Sequence, residues 1–296
     1  MAPHLAGHLA MLLFSALIAG SFALGVQIAN EIDPIALNAV RFWIAAAIVG
    51  AIAWRKVGFR KEYAQAPWRY FILSGSLVVY FVLMFEGLKT APAVSAAAVA
   101  TLIPVFAAGF GYLLLRQMLT RRMALALFIG AIGAIWVIFR ADVAALLAFD
   151  IGRGEAIYFV GCVSHALYTP MVRKLNRGEP VLVFTFGTLV VGAVLITLIG
   201  LPAITATDWS GLRPLVWWTI LYVAIFASAT TFTLLQFASL RLPSAKVMAY
   251  TYLTPSWVMV WNVALEGTVP PGMILLGIGL TIVALVLLLR DEARSF

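Results

Sequence analysis

Charge is what this chain of 296 residues has least of: 11% of its positions are Asp, Glu, Lys or Arg, 64% are hydrophobic, and the mean hydropathy is +1.04. Soluble domains carry about a quarter charged residues, so the shortage excludes a water-facing surface of ordinary composition and makes lipid the expected solvent. Cysteine is nearly missing as well. The one thiol, Cys162, lies inside an apolar run, which excludes a disulfide framework and a Cys-rich metal site. No Gly-x-x-x-x-Gly-Lys is present to cradle a nucleotide phosphate, and almost nothing in the sequence would fold outside a membrane. The net charge of +8 resides in short clusters between apolar runs, so no basic domain exists to hold a duplex. Nucleic acid, cofactor and metal are therefore not expected.

What is there is a succession of long apolar runs. A helix needs about 20 residues to cross roughly 30 Å of hydrocarbon. Runs of that kind fall near 8–29, 34–54, 68–89, 92–115, 123–139, 155–173, 181–201, 214–239, 243–265 and 271–289, ten spans in all. The first, within "MAPHLAGHLAMLLFSALIAGSFALG", has no Lys or Arg ahead of it and continues for more than twenty residues. It reads as a retained helix, with a cleaved signal peptide as the alternative.

The cations are unevenly shared between the two sides. Arg55, Lys56, Arg60, Lys61 and Arg69 follow span two; Arg116, Arg121 and Arg122 follow span four; Arg173, Lys174 and Arg177 follow span six. Arg241 follows span eight, and Arg290 and Arg294 follow span ten, giving 14 on one side. The other side has Lys89, Arg140, Arg153 and Arg213, only 4, with Arg41 and Lys246 left inside spans. The positive-inside rule then places both termini in the cytoplasm, as an even span count requires. Trp54 and Trp68 fall at the inner boundary, and Trp136, Trp209, Trp217 and Trp218 at the outer one, as an aromatic belt would.

The chain also repeats itself. "TAPAVSAAAVATLIPVF" and "LRLPSAKVMAYTYLTPSW" share a spacing, twelve residues from Pro92 to Pro104 and from Pro243 to Pro255, with Leu102 and Leu253 each two before the second proline. Gly-rich spans follow both, "FIGAIGAIWV" and "LLGIGLTIV". Earlier, "SFALGVQIANEIDP" ends in Asp-Pro and "SHALYTPMVRKLNRGEP" in Glu-Pro. The expected organisation is two units of five spans, 1–145 and 146–296. An odd number of spans makes the second unit enter from the opposite side, and the alternating basic loops agree. Inverted repeats of this kind build secondary transporters with a site near the midplane. Twelve residues of helix rise about 18 Å, so Pro104 and Pro255 fall near mid-membrane, where each is expected to bend its helix and act as a hinge.

The ten spans, the paired halves, the "LKTAPAVSAAAVATLIPVF" block and its echo around "YLTP" resemble the drug/metabolite transporter superfamily, specifically its EamA-type members. The aromatic content resembles the bacterial aromatic amino acid exporters of that group. The resemblance covers nearly the whole chain. It implies an all-α basket in which spans one, three, four, six, eight and nine surround a central cavity and spans five and ten pack outside. It also implies a monomer or homodimer in a bacterial inner membrane. The family usually places Glu at the end of the helix bearing this proline; the second copy here has Glu266 and the first has Arg116, which counts against that acid driving transport.

Candidate site residues are polar groups far from the interfaces. His165, ten residues into its span, suits a substrate carboxylate or a proton relay; the alternative is a neutral imidazole bonded between helices. Tyr80, Tyr168, Tyr250, Tyr252 and Trp257 offer rings that stack on an aromatic solute, or serve only in packing. Tyr250 and Trp257, seven apart, share a face that Tyr252 does not. Gln27 and Asn38 are expected to line the path, with Gln236, Thr230, Thr231 and Thr233 as ordinary interhelical hydrogen-bonders. Lys246 and Arg41 either snorkel or lure carboxylates at the two mouths, and Glu86 is placed to pair with Lys89 at i, i+3. No catalytic set is visible: serines occur in "GSF" and "SGS" without a paired histidine motif. The expected function is a secondary transporter, not an enzyme, that exports amino acids, aromatic ones above all, or related metabolites across the inner membrane by alternating access. A channel-like facilitator or a membrane scaffold is the alternative.

Overall fold

The computed structural model describes residues 3–139, 141–148, 151–267 and 272–290, all helical or in connections, with no strand among them. Arg140, Arg294 and the side chain of Arg290, which entered the charge asymmetry, lie outside the described residues. In hydrocarbon every backbone N–H and C=O must be satisfied within its own segment, and helices do this. The long elements are α1 (Pro3–Ile28), α2 (Pro34–Lys56), α3 (Trp68–Gly87), then α4 (Ala93–Ala100) followed by α5 (Ile103–Leu115), and α6 (Arg121–Ile138). After a short α7 (Val143–Ala148) come α8 (Arg153–Leu175), α9 (Val181–Ala206), α10 (Pro214–Ala224) with α11 (Thr231–Ser239), α12 (Ser244–Met248) with α13 (Thr254–Glu266), and α14 (Gly272–Arg290).

Among the described residues, eight stretches are long and apolar enough to cross a membrane: α1, α2, α3, Ala93–Leu115, α6, α9, Pro214–Ser239 and α14. Two of the ten expected spans fall outside this set for different reasons. The sixth, α8, has 23 residues, about 34 Å of helix, but carries Arg153, Glu155, Arg173 and Lys174 near its ends. The ninth is interrupted: α12 gives way to a 3-10 turn over Ala249–Leu253 before α13 begins.

The two expected proline breaks are seen, and they have the same build. Pro104 and Pro255 each take the second position of a new helix, where a missing N–H costs least, after Leu102 and Leu253. Ahead of each, the chain tightens into i to i−3 bonding, and a threonine hydroxyl donates back three residues: Thr101 to the Ala98 carbonyl (2.6 Å) and Thr251 to the Met248 carbonyl (2.8 Å). Both following helices have 13 residues and end in a left-handed cap, Arg116 at φ 55° and Gly267 at φ 68°. That register aligns Glu266 with Leu115 and Arg116 with Gly267, so comparing Glu266 with Arg116 is off by one position.

A third interruption was not foreseen. The eighth span holds a π-turn over Ile225–Thr230 between α10 and α11, in "IFASAT", which contains neither proline nor glycine.

Packing runs α2 on α9, α6 on α14, α3 on α8, and α1 on α10 and α11. The broken helices meet each other, α5 against α12 and α4 against α13, while α8 covers α4 and α5 and α1 covers α13.

Candidate functional site

The buried polar groups gather around α8. His165, thirteenth in its 23-residue helix, is 2% exposed and stacks on Tyr80 of α3 with ring centroids 4.2 Å apart. Its Nδ1 has no hydrogen-bond partner among the described residues. Tyr158, one face of α8 further up, donates its hydroxyl to that of Tyr80 at 2.8 Å. Tyr168 lies 6.2 Å from the His165 ring and accepts from Gln236 Nε2 at 2.8 Å. Gln236 is a junction: it also accepts from Thr185 at 2.8 Å and donates to Thr188 at 3.2 Å, so α8, α9 and α11 are pinned through one amide. Three expected residues, Tyr80, His165 and Tyr168, are thus brought together.

Tyr250 and Trp257 go elsewhere, to α1. Tyr250 shares a hydrogen bond with His8 Nδ1 (3.1 Å), and Trp257 Nε1 donates to Ser15 (3.2 Å). The constant offset means that α1 and the broken segment run in the same direction. Phe22, seven residues beyond Ser15, meets Tyr158 edge-on at 5.8 Å. Positions 8, 15 and 22 form one helix face, so α1 is a strip joining Tyr250 and Trp257 of the broken segment to Tyr158 of α8.

Tyr252 is a correction. It points away from this strip, fully buried toward α6 and α14. A Cβ on Gly130 would meet its ring at 2.4 Å, so the missing side chain at 130 makes the space this tyrosine fills. Both tyrosines lie in the 3-10 turn Ala249–Leu253, where positions two apart point about 120° from each other.

Arg41 is the second correction. It neither snorkels nor stands at a mouth: it is fully buried. Its Nε donates to Ser228 Oγ (2.5 Å), its Nη2 to the Ala227 carbonyl (2.6 Å), and its Nη1 to Asn38 Oδ1 (3.4 Å). The guanidinium lies 3.8 Å over the Phe81 ring. A π-turn displaces carbonyls from the ordinary helical ladder, and Arg41 takes one of them, which holds the side chain inside. Among the described residues no carboxylate pairs with it. Asn38 is likewise buried, donating to the Pro34 and Phe81 carbonyls at 2.8 and 3.3 Å.

The remaining candidates divide. Gln27 is half-buried in the last turn of α1, and Lys246, in the first turn of α12, is buried at 6% exposure. Glu86 does pair with Lys89, at 2.6 Å. Residues the sequence reading missed are Tyr158, Thr185, Thr188 and Ser228, and the Ser95 to Glu155 hydrogen bond (2.7 Å) between α4 and α8. Gln236, expected as an interhelical hydrogen-bonder, is one, and it is the hub of the cluster.

Two ion pairs clamp the helix ends. Arg69, at the start of α3, bonds Glu179 just before α9 at 2.6 Å, with side chains 1% and 3% exposed. Arg213, just before α10, bonds Glu31 just before α2, its Nε to Oε2 at 2.8 Å, in an exposed setting. The hydrogen bond from Arg213 holds the Glu31 carboxyl below its ordinary value. At Glu179 burial pushes upward, but the hydrogen bonds from Arg69 and from the Arg177 backbone outweigh it and the carboxyl is also held low.

A model of the EamA-like transporter family matches the chain in two stretches, residues 5–139 and 152–290. The uncharacterized transporter YyaM of Bacillus subtilis (strain 168) is 26% identical over 263 residues, 88% of this chain and 86% of that protein. A solved crystal structure of a protein, 20% identical, superposes with a TM-score of 0.74 over 99% of both chains; at that identity the likeness is one of fold.

Proposed function

Because the chain belongs to the EamA-like transporter family, we propose that it is a ten-span inverted-repeat carrier that moves an aromatic or other amino acid by alternating access. The observation that carries this reading is the matched pair of broken helices, at Leu102 and Leu253, packed against each other deep in the bundle. Discontinuous helices at the midplane are how secondary transporters make a site. Several further features support two equivalent halves. The family model fits twice. Exchanging each helical unit of residues 3–138 for its counterpart in 153–290 turns the α3–α8 contact into α10/α11–α1, and α4/α5–α8 into α12/α13–α1. It also exchanges the Arg69–Glu179 clamp for the Arg213–Glu31 clamp. In the proposed cycle the two clamps lie on opposite faces and open in turn.

The solute class rests on the buried groups. Arg41 offers a positive charge without a carboxylate partner among the described residues, and a solute carboxylate would supply one. Tyr80, His165 and Tyr168 offer ring faces and polar atoms for an aromatic side chain, and Trp257, whose N–H is given to Ser15, offers a ring face from the α1 side. Export across the inner membrane, with both termini cytoplasmic, follows from the resemblance and the cation asymmetry and is part of the same proposal.

The test is counterflow of labelled amino acids into proteoliposomes. His165→Phe keeps the ring on Tyr80 and removes the polar atoms; Trp257→Phe keeps an aromatic ring and removes the N–H. His165→Phe is expected to lower exchange of aromatic amino acids about tenfold, the worth of one hydrogen bond to a bound group, and Trp257→Phe, which shrinks the ring and releases Ser15, is expected to lower it as well. Wild-type rates in both variants would defeat the site assignment. Flux that rises linearly with solute, without counterflow, would favour the channel-like alternative.

A further inference from the structure

Two cavities lie near one end of the bundle, one on the seam between α2 and α9 and the other among the segments that lead into α3 and α9. The first, of about 460 Å³, is apolar and faces outward from the bundle, between Trp43, Ala47, Gly50, Ala51, Phe186 and Val190. The groove exists because α2 presents small residues there: a Cβ on Gly50 would meet the Phe186 ring at 2.5 Å. From Trp43 to Trp54 it runs eleven residues along α2, about 16 Å, the reach of most of a lipid acyl chain. Trp54 is 72% exposed and Trp43 46%, so both indoles stand as walls toward the surrounding lipid.

The second cavity, of about 400 Å³, is polar and is lined by Arg60, Tyr63, Gln65, Arg69, Arg177 and Glu179, among others. Phe59, which lines the first cavity and meets Phe186 there with ring centroids 5.0 Å apart, is followed in the chain by Arg60, which lines the second. Within this cavity Arg69 is spent on Glu179 and on the Leu175 and Gln65 carbonyls. Arg60 is exposed and only loosely paired with Glu62, at 3.4 Å, and Arg177 is exposed. The segments 55–69 and 173–179 that form this end carry eight Lys or Arg against Glu62 and Glu179.

We propose that this seam is a binding site for one anionic phospholipid, its acyl chain in the Trp43–Phe186 groove and its phosphate headgroup held by Arg60 and Arg177. An apolar slot ending in a cationic pocket complements a molecule with a hydrocarbon tail and a negative head, and basic pockets between membrane helices select anionic headgroups for that reason. The site is apart from the buried His165 cluster, and it stands whether or not the carrier reading does. The headgroup lies over the Arg69–Glu179 clamp, so its occupancy steadies the α3–α9 end of the bundle.

The test is native mass spectrometry of the delipidated full-length protein titrated with phosphatidylglycerol or phosphatidylcholine of the same chains. Wild type is expected to retain phosphatidylglycerol about tenfold more tightly, as two guanidinium contacts at a membrane surface allow. Arg60→Gln/Arg177→Gln alters exposed side chains and should erase that preference while leaving phosphatidylcholine binding unchanged. Ala47→Trp/Ala51→Trp fills the exposed groove and should weaken both lipids. Equal retention of the two lipids by wild type, or a preference that survives Arg60→Gln/Arg177→Gln, would overturn the proposal. Displacement of the lipid by inorganic phosphate at equal concentration would also overturn it, by showing a plain anion site.

Discussion

Arg69→Met is expected to destabilise the protein more than any other single charge removal. Arg69 satisfies Glu179 and also the Ala66, Leu175 and Gln65 carbonyls, and both members of the pair are almost wholly buried. Removing one partner of a buried pair leaves an uncompensated charge and costs about 3–5 kcal/mol, here with orphaned carbonyls besides. Thermal unfolding in detergent should fall by on the order of 10 °C. Glu179→Gln keeps an oxygen to accept from Arg69 and should cost less, and Arg69→Met/Glu179→Leu should cost less than the sum of its singles. Strict additivity would show that the pair is not coupled. The pH dependence has a definite sign. The folded carboxyl of Glu179 is held below its ordinary value, so its contribution is complete above the unfolded carboxylate pKa of about 4.3. It is lost as the pH falls from there through the depressed folded value. Glu179→Gln should flatten the stability curve in that acid window and leave it parallel to wild type near neutrality.

Gly154→Leu is the second large effect. The end of α3 and the start of α8 cross backbone to backbone: a Cβ on Gly154 would lie 2.3 Å from the Gly87 carbonyl oxygen, and one on Gly87 would lie 2.6 Å from that of Gly154. Backbone cannot rotate out of the way, so the helices must part, and overpacking of this kind costs about 1–3 kcal/mol or more. The consequence reaches down the same seam to the Tyr80–Tyr158 hydrogen bond and the His165 stack. Cys162, the chain's single thiol, is fully buried there and reports the change. A maleimide that leaves wild type unlabelled should react with Cys162 in Gly154→Leu, and more slowly in Gly154→Ala. Gly75→Ala, where a Cβ meets nothing within 4 Å, is the control. It should label like wild type and gain the 0.5–1 kcal/mol or so that Ala holds over Gly within a helix. Silent labelling of Gly154→Leu would mean that the crossing has room the structure does not show.

The same seam illustrates how far the sequence could be read. Each glycine was visible, yet nothing in one chain tells which glycine meets another, and Gly87 and Gly154 were not singled out. By contrast, the Glu86–Lys89 pair needed only helical spacing, and it is present. Among the aromatic candidates, the divergence of Tyr252 from Tyr250 and Trp257 followed from helix geometry, but the side to which Tyr252 turned depended on a gap opposite, at Gly130. Arg41 was misplaced because a lone cation near a span end normally finds water. The partners that keep it buried are backbone and hydroxyl groups of a π-turn 186 and 187 residues away.

By itself the sequence determined the solvent, the helical segments and the two breaks at Pro104 and Pro255. Those are largely local matters: apolar length sets what can lie in hydrocarbon, and the repeated twelve-residue proline spacing marks the two breaks, whereas Pro170 and Pro202 stand inside continuous helices. Only the tertiary structure decided which face of each helix turns inward, which polar groups meet, and which charges are buried. When lipid and protein interior are both apolar, hydrophobic pattern no longer separates inside from outside. The choice then passes to the fit of small residues and to hydrogen bonds between distant segments, such as those converging on Gln236 and Arg41.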